Sequence, residues 1–148
     1  MNSPLFHLAI PINDVAKAKT FYGSGLGCSV GRESIHAVIL NFYGHQLVAH
    51  VTQDPLTPQK GIYPRHFGLI LTSEAQWQSL VQRSREQQLP FYQEPKRRFP
   101  GQITEHLTFF LEDPFYNLME FKFYSHSEAI FGSLETSEIG DVPSSISS

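Results

Sequence analysis

Leu5-Phe6-His7-Leu8-Ala9-Ile10 and, further along, Arg65-His66-Phe67-Gly68-Leu69-Ile70-Leu71 decide how this chain is read. In the first stretch Phe6, Leu8 and Ile10 share one side of an extended segment, with His7 and Ala9 on the other. In the second, Phe67, Leu69 and Leu71 oppose His66, Gly68 and Ile70. Side chains of a strand point alternately to opposite faces, so both stretches predict strands with one buried face and one face of different character. The histidines occupy matching places in the two strands.

The segments after the two strands correspond as well. Pro11 is expected to close the first, and Asn13 or Asp14 caps a short helix with Val15, Ala18 and Phe21/Tyr22 at helical spacing. Gly23, Gly25 and Gly27 end it. A hairpin comes next, Ile35 to Tyr43 and His45 to Val51, turning at Gly44. Residues 54–64 hold three prolines and a glycine and read as a linker. After the second strand, Thr72 or Ser73 caps a helix to about Gln88 with Trp77, Leu80 and Val81 as its apolar stripe. Phe91 to Gln102 reads as a loop with a short edge strand. Strands Thr104 to Leu111 and Leu118 to Tyr124 flank a turn at Asp113 to Asn117. In the last strand Met119, Phe121 and Phe123 oppose Leu118, Glu120, Lys122 and Tyr124. The expectation is a duplicated α+β fold.

Composition limits what such a fold does. The chain has 148 residues, 41% hydrophobic, with nineteen aromatics (Phe 12, Tyr 6, Trp 1), enough for one domain with a full core. A formal charge of −3 gives no basic face for nucleic acid. No segment reaches the roughly 20 apolar residues of a membrane-spanning helix, and no secretory signal pattern is seen. The single cysteine, Cys28, forms no intrachain disulfide and fits a reducing cytoplasm. It reads as a small buried hydrophobe.

The chemistry is expected where apolar strands have metal-competent groups on their second face: His7, His66 and Glu120. If the two halves curve around one cavity, these three meet there. Two imidazoles and a carboxylate leave coordination positions open and suit a divalent ion such as Fe, Mn, Zn, Ni or Co.

These residues carry a resemblance. Phe6-His7-Leu8-Ala9-Ile10-Pro11 with Asn13-Asp14-Val15 and Phe21-Tyr22-Gly23 resembles the opening of the vicinal oxygen chelate superfamily. His66-Phe67-Gly68-Leu69 and Asp113-Pro114…Asn117-Leu118-Met119-Glu120-Phe121 resemble its second-module motifs. The superfamily includes glyoxalases, extradiol dioxygenases, epimerases and fosfomycin- or bleomycin-resistance proteins. The resemblance implies two βαβββ modules, about 4–52 and 64–124, whose curved sheets enclose a metal cavity in a domain spanning 1–124. It also implies a homodimer acting on a small molecule with two adjacent oxygens. Residues 125–148 are expected to be a partly disordered tail, with Ile130, Phe131 and Leu134 available to dock.

Two departures shape the functional reading. Glyoxalases and epimerases of this superfamily use a fourth ligand on the last strand of module one, where Leu47 and Ala49 face the core and Gln46, Val48 and His50 the cavity. Strand alignment puts Val48, which cannot coordinate, at that position; a shift in register would put Gln46 or His50 there instead. Three ligands leave places for substrate and oxygen, which favours a dioxygenase-like reaction. The alternatives are a glyoxalase or epimerase using Gln46 or His50, and a non-catalytic binding or sequestration protein. The second departure is Tyr116, where the family turn usually has glycine. His50 is a candidate base; Arg98, Gln46, His106 and Tyr116 are candidates for contacting substrate. Lys96 and Arg97 read as a solvated loop.

Overall fold

The computed structural model describes residues 3–132 and 139–140. Strand β1 (His7–Ile12) leads into a short helix α1 (Val15–Ala18) that continues as a π-helical segment, Lys19–Gly25. Asp14 is its N-cap, its carboxylate accepting from the Lys17 backbone N–H at 2.9 Å. Strands β2 (Ser29–Glu33), β3 (Ala37–Phe42) and β4 (His45–Val51) complete one sheet in the order β1-β4-β3-β2. The second half repeats this with β5 (Phe67–Ile70), α2 (Glu74–Glu86), β6 (Phe91–Arg98), β7 (His106–Glu112) and β8 (Leu118–Tyr124), in the order β5-β8-β7-β6. In each sheet the first strand pairs parallel to the last and the remaining pairs are antiparallel. The expected α+β architecture of two βαβββ modules is present, the sheets curved but not closed.

Several local expectations change. Pro11 does not end β1, which runs on to Ile12; β1 lies at the edge of its sheet, where a missing N–H is tolerated. Phe6 is 62% exposed, just ahead of the strand rather than in the core. The first helix continues through Gly23 to Gly25. Strand β2 is an addition: all five of its residues are exposed, so it has no apolar alternation to announce it. The short edge strand expected within the loop is longer than predicted: β6 takes eight residues, and Lys96, Arg97 and Arg98 stand on it. It is an edge strand with register shifts on either side of Gln93, one of which spans Pro95.

The two helices lie between the sheets. Arg83 of α2 donates from Nε to the Gly25 carbonyl at 2.7 Å and from Nη2 to that of Ser24 at 2.9 Å. One apolar cluster joins Ile10, Ile12, Leu47 and Ala49 of the first sheet with Trp77 and with Phe109, Met119 and Phe121 of the second. Both sheets therefore turn their apolar faces to a common interior and their other faces outward. Cys28 belongs to that interior, where burial pushes its thiol up to about 12. The connector places Ile62 over Phe110 and Leu118 on the second sheet's outward face.

The turn before β8 ties the halves together. Buried Asp113 accepts from the Tyr22 hydroxyl at 2.6 Å, from the Phe115 and Asn117 backbone N–H groups and from the Asn117 side chain, each at 2.8 Å. Burial pushes its carboxyl up, against the pull of those donors. Tyr116 has φ 68°, the left-handed region, at the place where glycine is usual. A non-glycine residue there costs about 1–2 kcal/mol, and glycine returns part of that through its freer unfolded chain. Tyr116→Gly is expected to raise stability by up to about 1 kcal/mol in denaturant unfolding. A loss of stability would show that the tyrosine ring holds the turn.

Of the C-terminal tail, Phe131 is 99% exposed and does not dock, and Ile130 is half-buried. Leu134 lies outside the described residues, as does most of the tail.

Candidate metal centre

Glu120 points from the middle of β8 to the outward face of the second sheet, only 6% exposed. Its Oε2 accepts from the Thr108 hydroxyl of β7 at 2.6 Å, and its Oε1 lies 3.1 Å from His66 Nε2. His66 Nδ1 is 2.6 Å from the Ile62 carbonyl. A carbonyl only accepts, so Nδ1 carries a hydrogen, and in the neutral ring the lone pair of Nε2 faces the carboxylate. Two acceptors so close need a cation between them. In the metal-free protein this is a proton: the bond to Glu120 raises the His66 pKa above the usual imidazole value. Burial pushes Glu120 up, but His66, Lys122 and Thr108 outweigh it and hold the carboxyl below its ordinary range.

Gly68 permits this closeness. It pairs with Glu120 across the parallel β5–β8 ladder, and a Cβ on it would stand 1.6 Å from the Glu120 carbonyl oxygen. Only glycine lets β5 lie so tightly against β8 beside the carboxylate.

His7 repeats the pattern on the first sheet. Its Nδ1 lies 2.7 Å from the side-chain oxygen of Gln46, its partner across β1–β4, so Nε2 again faces outward with its lone pair. The registers of the two halves correspond. Two residues after His66, Gly68 pairs with Glu120; two residues after His7, Ala9 pairs with Val48. Val48 is thus the counterpart of Glu120, and it brings no donor. Gln46 stands one step away, holding His7.

The structure brings His66 and Glu120 together and does not bring His7 to them. Among the described residues no three His, Cys, Asp or Glu side chains lie close enough to hold a metal ion. The expectation of convergence within one chain fails because the apolar faces, not the histidine faces, are turned toward each other.

A cleft of about 430 Å³ runs between the edge strands β1 and β5, with His66, Glu120, Lys122 and Gln46 on its wall beside Phe42 and Ile70; His7 is outside it. His106, on the same face as Glu120, is 5% exposed, with Nδ1 2.9 Å from the Thr104 carbonyl, and burial lowers its pKa. Arg98 is buried and pairs with His106 in register. His50 is on the expected face of β4 but exposed and outside the cleft, as is Tyr116 on its turn. Sequence reasoning missed two participants. Thr108 orients Glu120, and Lys122 brings a cation within 3.8 Å of Oε1. The signal for both was their shared face with Glu120.

Comparison with known proteins agrees with this architecture. The sequence profile of the Glyoxalase/Bleomycin resistance protein/Dioxygenase superfamily matches residues 5–121, and the chain belongs to that superfamily. A glyoxalase/bleomycin resistance protein/dioxygenase from Alicyclobacillus acidocaldarius is 40% identical with a TM-score of 0.81, over 86% of this chain and 96% of that one. The fold is also shared, at 18% identity and a TM-score of 0.63 in both cases, by two further proteins. One is a genomically encoded fosfomycin resistance protein from Listeria monocytogenes, over 91% of this chain and 98% of that one. The other is a lactoylglutathione lyase from Agrobacterium tumefaciens, over 82% and 94%. Comparison with curated protein sequences gives no match. Among the described residues no helix is long and apolar enough to cross a membrane.

Proposed function

We propose that this protein is a metal-dependent enzyme of a homodimer, acting in the cytoplasm on a small molecule with two adjacent oxygens. Its divalent ion would be held by His66 and Glu120 of one copy and His7 of a second. The observation that carries this reading is the matched preparation of the two histidines: each has Nδ1 against a carbonyl oxygen, leaving Nε2 as a ligand. Because both histidine faces point away from the shared interior, two chains are needed to bring them together.

A divalent ion in that set supplies Lewis-acid stabilisation of an oxyanion on the substrate and, if it is iron, activation of dioxygen. The protein's own groups do the rest. Thr108 and the Ile62 carbonyl fix Glu120 and His66, Gln46 fixes His7, and the apolar residues of the cleft exclude water. With valine at the fourth position the reading favours a dioxygenase-like reaction over a glyoxalase-like one. The alternative of a non-catalytic binding protein is favoured by one observation, the absence of a third donor near His66 and Glu120 among the described residues of a single chain.

Metal analysis of protein purified without chelator separates the two. About one equivalent of transition metal per chain is expected, with His7→Ala, His66→Ala and Glu120→Ala each weakening affinity by at least about 10–100-fold. His36→Ala and His126→Ala should leave metal content unchanged. Metal-free wild-type protein that takes up none on addition would establish the binding protein instead. Oxygen uptake by the iron-loaded protein with a panel of catechols tests the reaction; none across the panel removes the preference for dioxygenase chemistry.

A further inference from the structure

The outward face of the second sheet carries more than the proposed ligands. Strand alternation and register put Glu120, Lys122 and Tyr124 of β8 in line there, beside Thr108 and His106 of β7. Lys122 lies in the next row from Glu120, opposite Thr108, and lines the cleft with His66 and Glu120. Its side chain is 29% exposed, with Nζ 3.8 Å from Glu120 Oε1 and 3.3 Å from the Tyr124 hydroxyl. Tyr124 in turn packs on His106, with ring centres 4.8 Å apart.

This is an unusual place for an ammonium. A fixed positive charge beside a metal-binding carboxylate weakens the attraction of that carboxylate for a divalent cation. A neutral side chain of the same length would fill the space without that cost. The charge does have a use once substrate is present. Glu120 is already engaged by His66 and Thr108, and Nζ stands 3.8 Å from its Oε1, beyond hydrogen-bond reach, so the ammonium keeps donors for an anion bound in the cleft. The neutral His106 ring and the Tyr124 hydroxyl on the same face bring no competing anion. Ile70, the partner of Lys122 across β5–β8, and Phe42 and Leu8 of the first sheet add apolar surface to the cleft that suits a carbon skeleton, with the neutral amide of Gln46 among them.

Resting on the metal-centre reading above, we infer that Lys122 is a specificity-determining residue that selects substrates bearing an anionic group next to the metal-chelating oxygens. The substrate class is then a small acid: a carboxylate or phosphonate on an apolar skeleton that also presents two adjacent oxygens. Lys122 grips the anion by a charge-assisted hydrogen bond, and Tyr124 steadies the ammonium from behind. Neutral dicarbonyls and unsubstituted diols leave the ammonium without a partner and bind less well.

The test uses zinc, which is redox-inert, and two probes of nearly equal shape, 2,3-dihydroxybenzoate and its methyl ester. Zinc uptake by metal-free protein is measured first by equilibrium dialysis, and probe affinity is then measured by calorimetry at low salt. The acid is expected to bind the zinc-loaded protein about 10-fold or more tightly than the ester, the value of one charge-assisted hydrogen bond. Lys122→Met should reduce that preference to about twofold by weakening the acid alone, and should raise zinc affinity several-fold. Lys122→Arg should keep most of the preference. Equal binding of acid and ester by the zinc-loaded wild type, or an undiminished preference in Lys122→Met, overturns this inference while leaving the metal centre standing. No zinc uptake by the wild-type protein overturns both.

Discussion

Mixed dimers in which one copy carries His7→Ala and the other Glu120→Ala, isolated by two different affinity tags, are expected to hold about half the wild-type metal, while each variant alone holds almost none. The arithmetic comes from the arrangement of the donors. If His7 of one copy completes the His66–Glu120 pair of another, a mixed dimer has one site lacking both altered ligands and one site intact. The intact site combines the natural His7 of one chain with the natural His66 and Glu120 of the other. Were the three ligands to converge within a single chain, every chain in the mixture would lack one of them and pairing would restore nothing. Mixed dimers as empty as the single variants would therefore rule out the shared centre. The geometry leads one way: the His66–Glu120 pair and His7 stand on outward faces of two sheets that pack with their apolar sides together.

Gly68→Ala should cause the largest loss of stability of any single methyl group added to this protein. The new Cβ would lie 1.6 Å from the Glu120 carbonyl oxygen, 2.6 Å from its carbonyl carbon and 2.9 Å from its nitrogen, all backbone atoms of the neighbouring strand. No side-chain rotation relieves such contacts, so β5 must move off β8. Overpacking in rigid surroundings costs typically 1–3 kcal/mol, and a clash with backbone belongs at or above the upper end, at least about 3 kcal/mol. For a domain of this size that lowers the melting temperature by about 6–12 °C. The same movement separates His66 from Glu120, so metal affinity should fall with it. Ala9→Gly, at the matching place in the first half, removes only a methyl group from a strand with no such clash and serves as the control. A Gly68→Ala protein with wild-type stability and metal content would mean that the strand spacing has no part in aligning the pair.

Burial decides which elements were legible in the sequence. Period-two alternation was strong in β1, β5, β7 and β8, because each has one face in a packed interior, and the expected facing of Leu8, Ile10, Leu47, Ala49, Met119 and Phe121 rests on it. Capping was equally legible, since Asp14 and Ser73 each precede a helix and accept from the backbone three residues on. Strand β2 was not, and β6 only as a short edge strand within a loop. Both lie on edges, β2 is exposed along its whole length and β6 has a proline inside one of its two shifts of register, so neither shows the pattern that burial imposes. For the site, alternation correctly put His66 and Glu120 on the non-core face. It contained no information about which way the two sheets turn relative to each other, and that rotation decides whether His7 joins them. The role of Thr108 was hidden for a different reason: a threonine on a buried face satisfies the pattern equally well as filler or as a hydrogen-bond donor.

The placement of both helices between the sheets has a consequence for how such a scaffold diversifies. Cohesion resides in the interior, in contacts such as Trp77 with Phe109 and Phe121, while the ligand-bearing side of the first sheet is spared that duty. Exposed residues such as His7 or His50 can drift through many chemical types over generations while the chain goes on folding. A lineage built this way explores new reactions at little risk to its viability, which is a physical reason for one architecture to serve such varied chemistries.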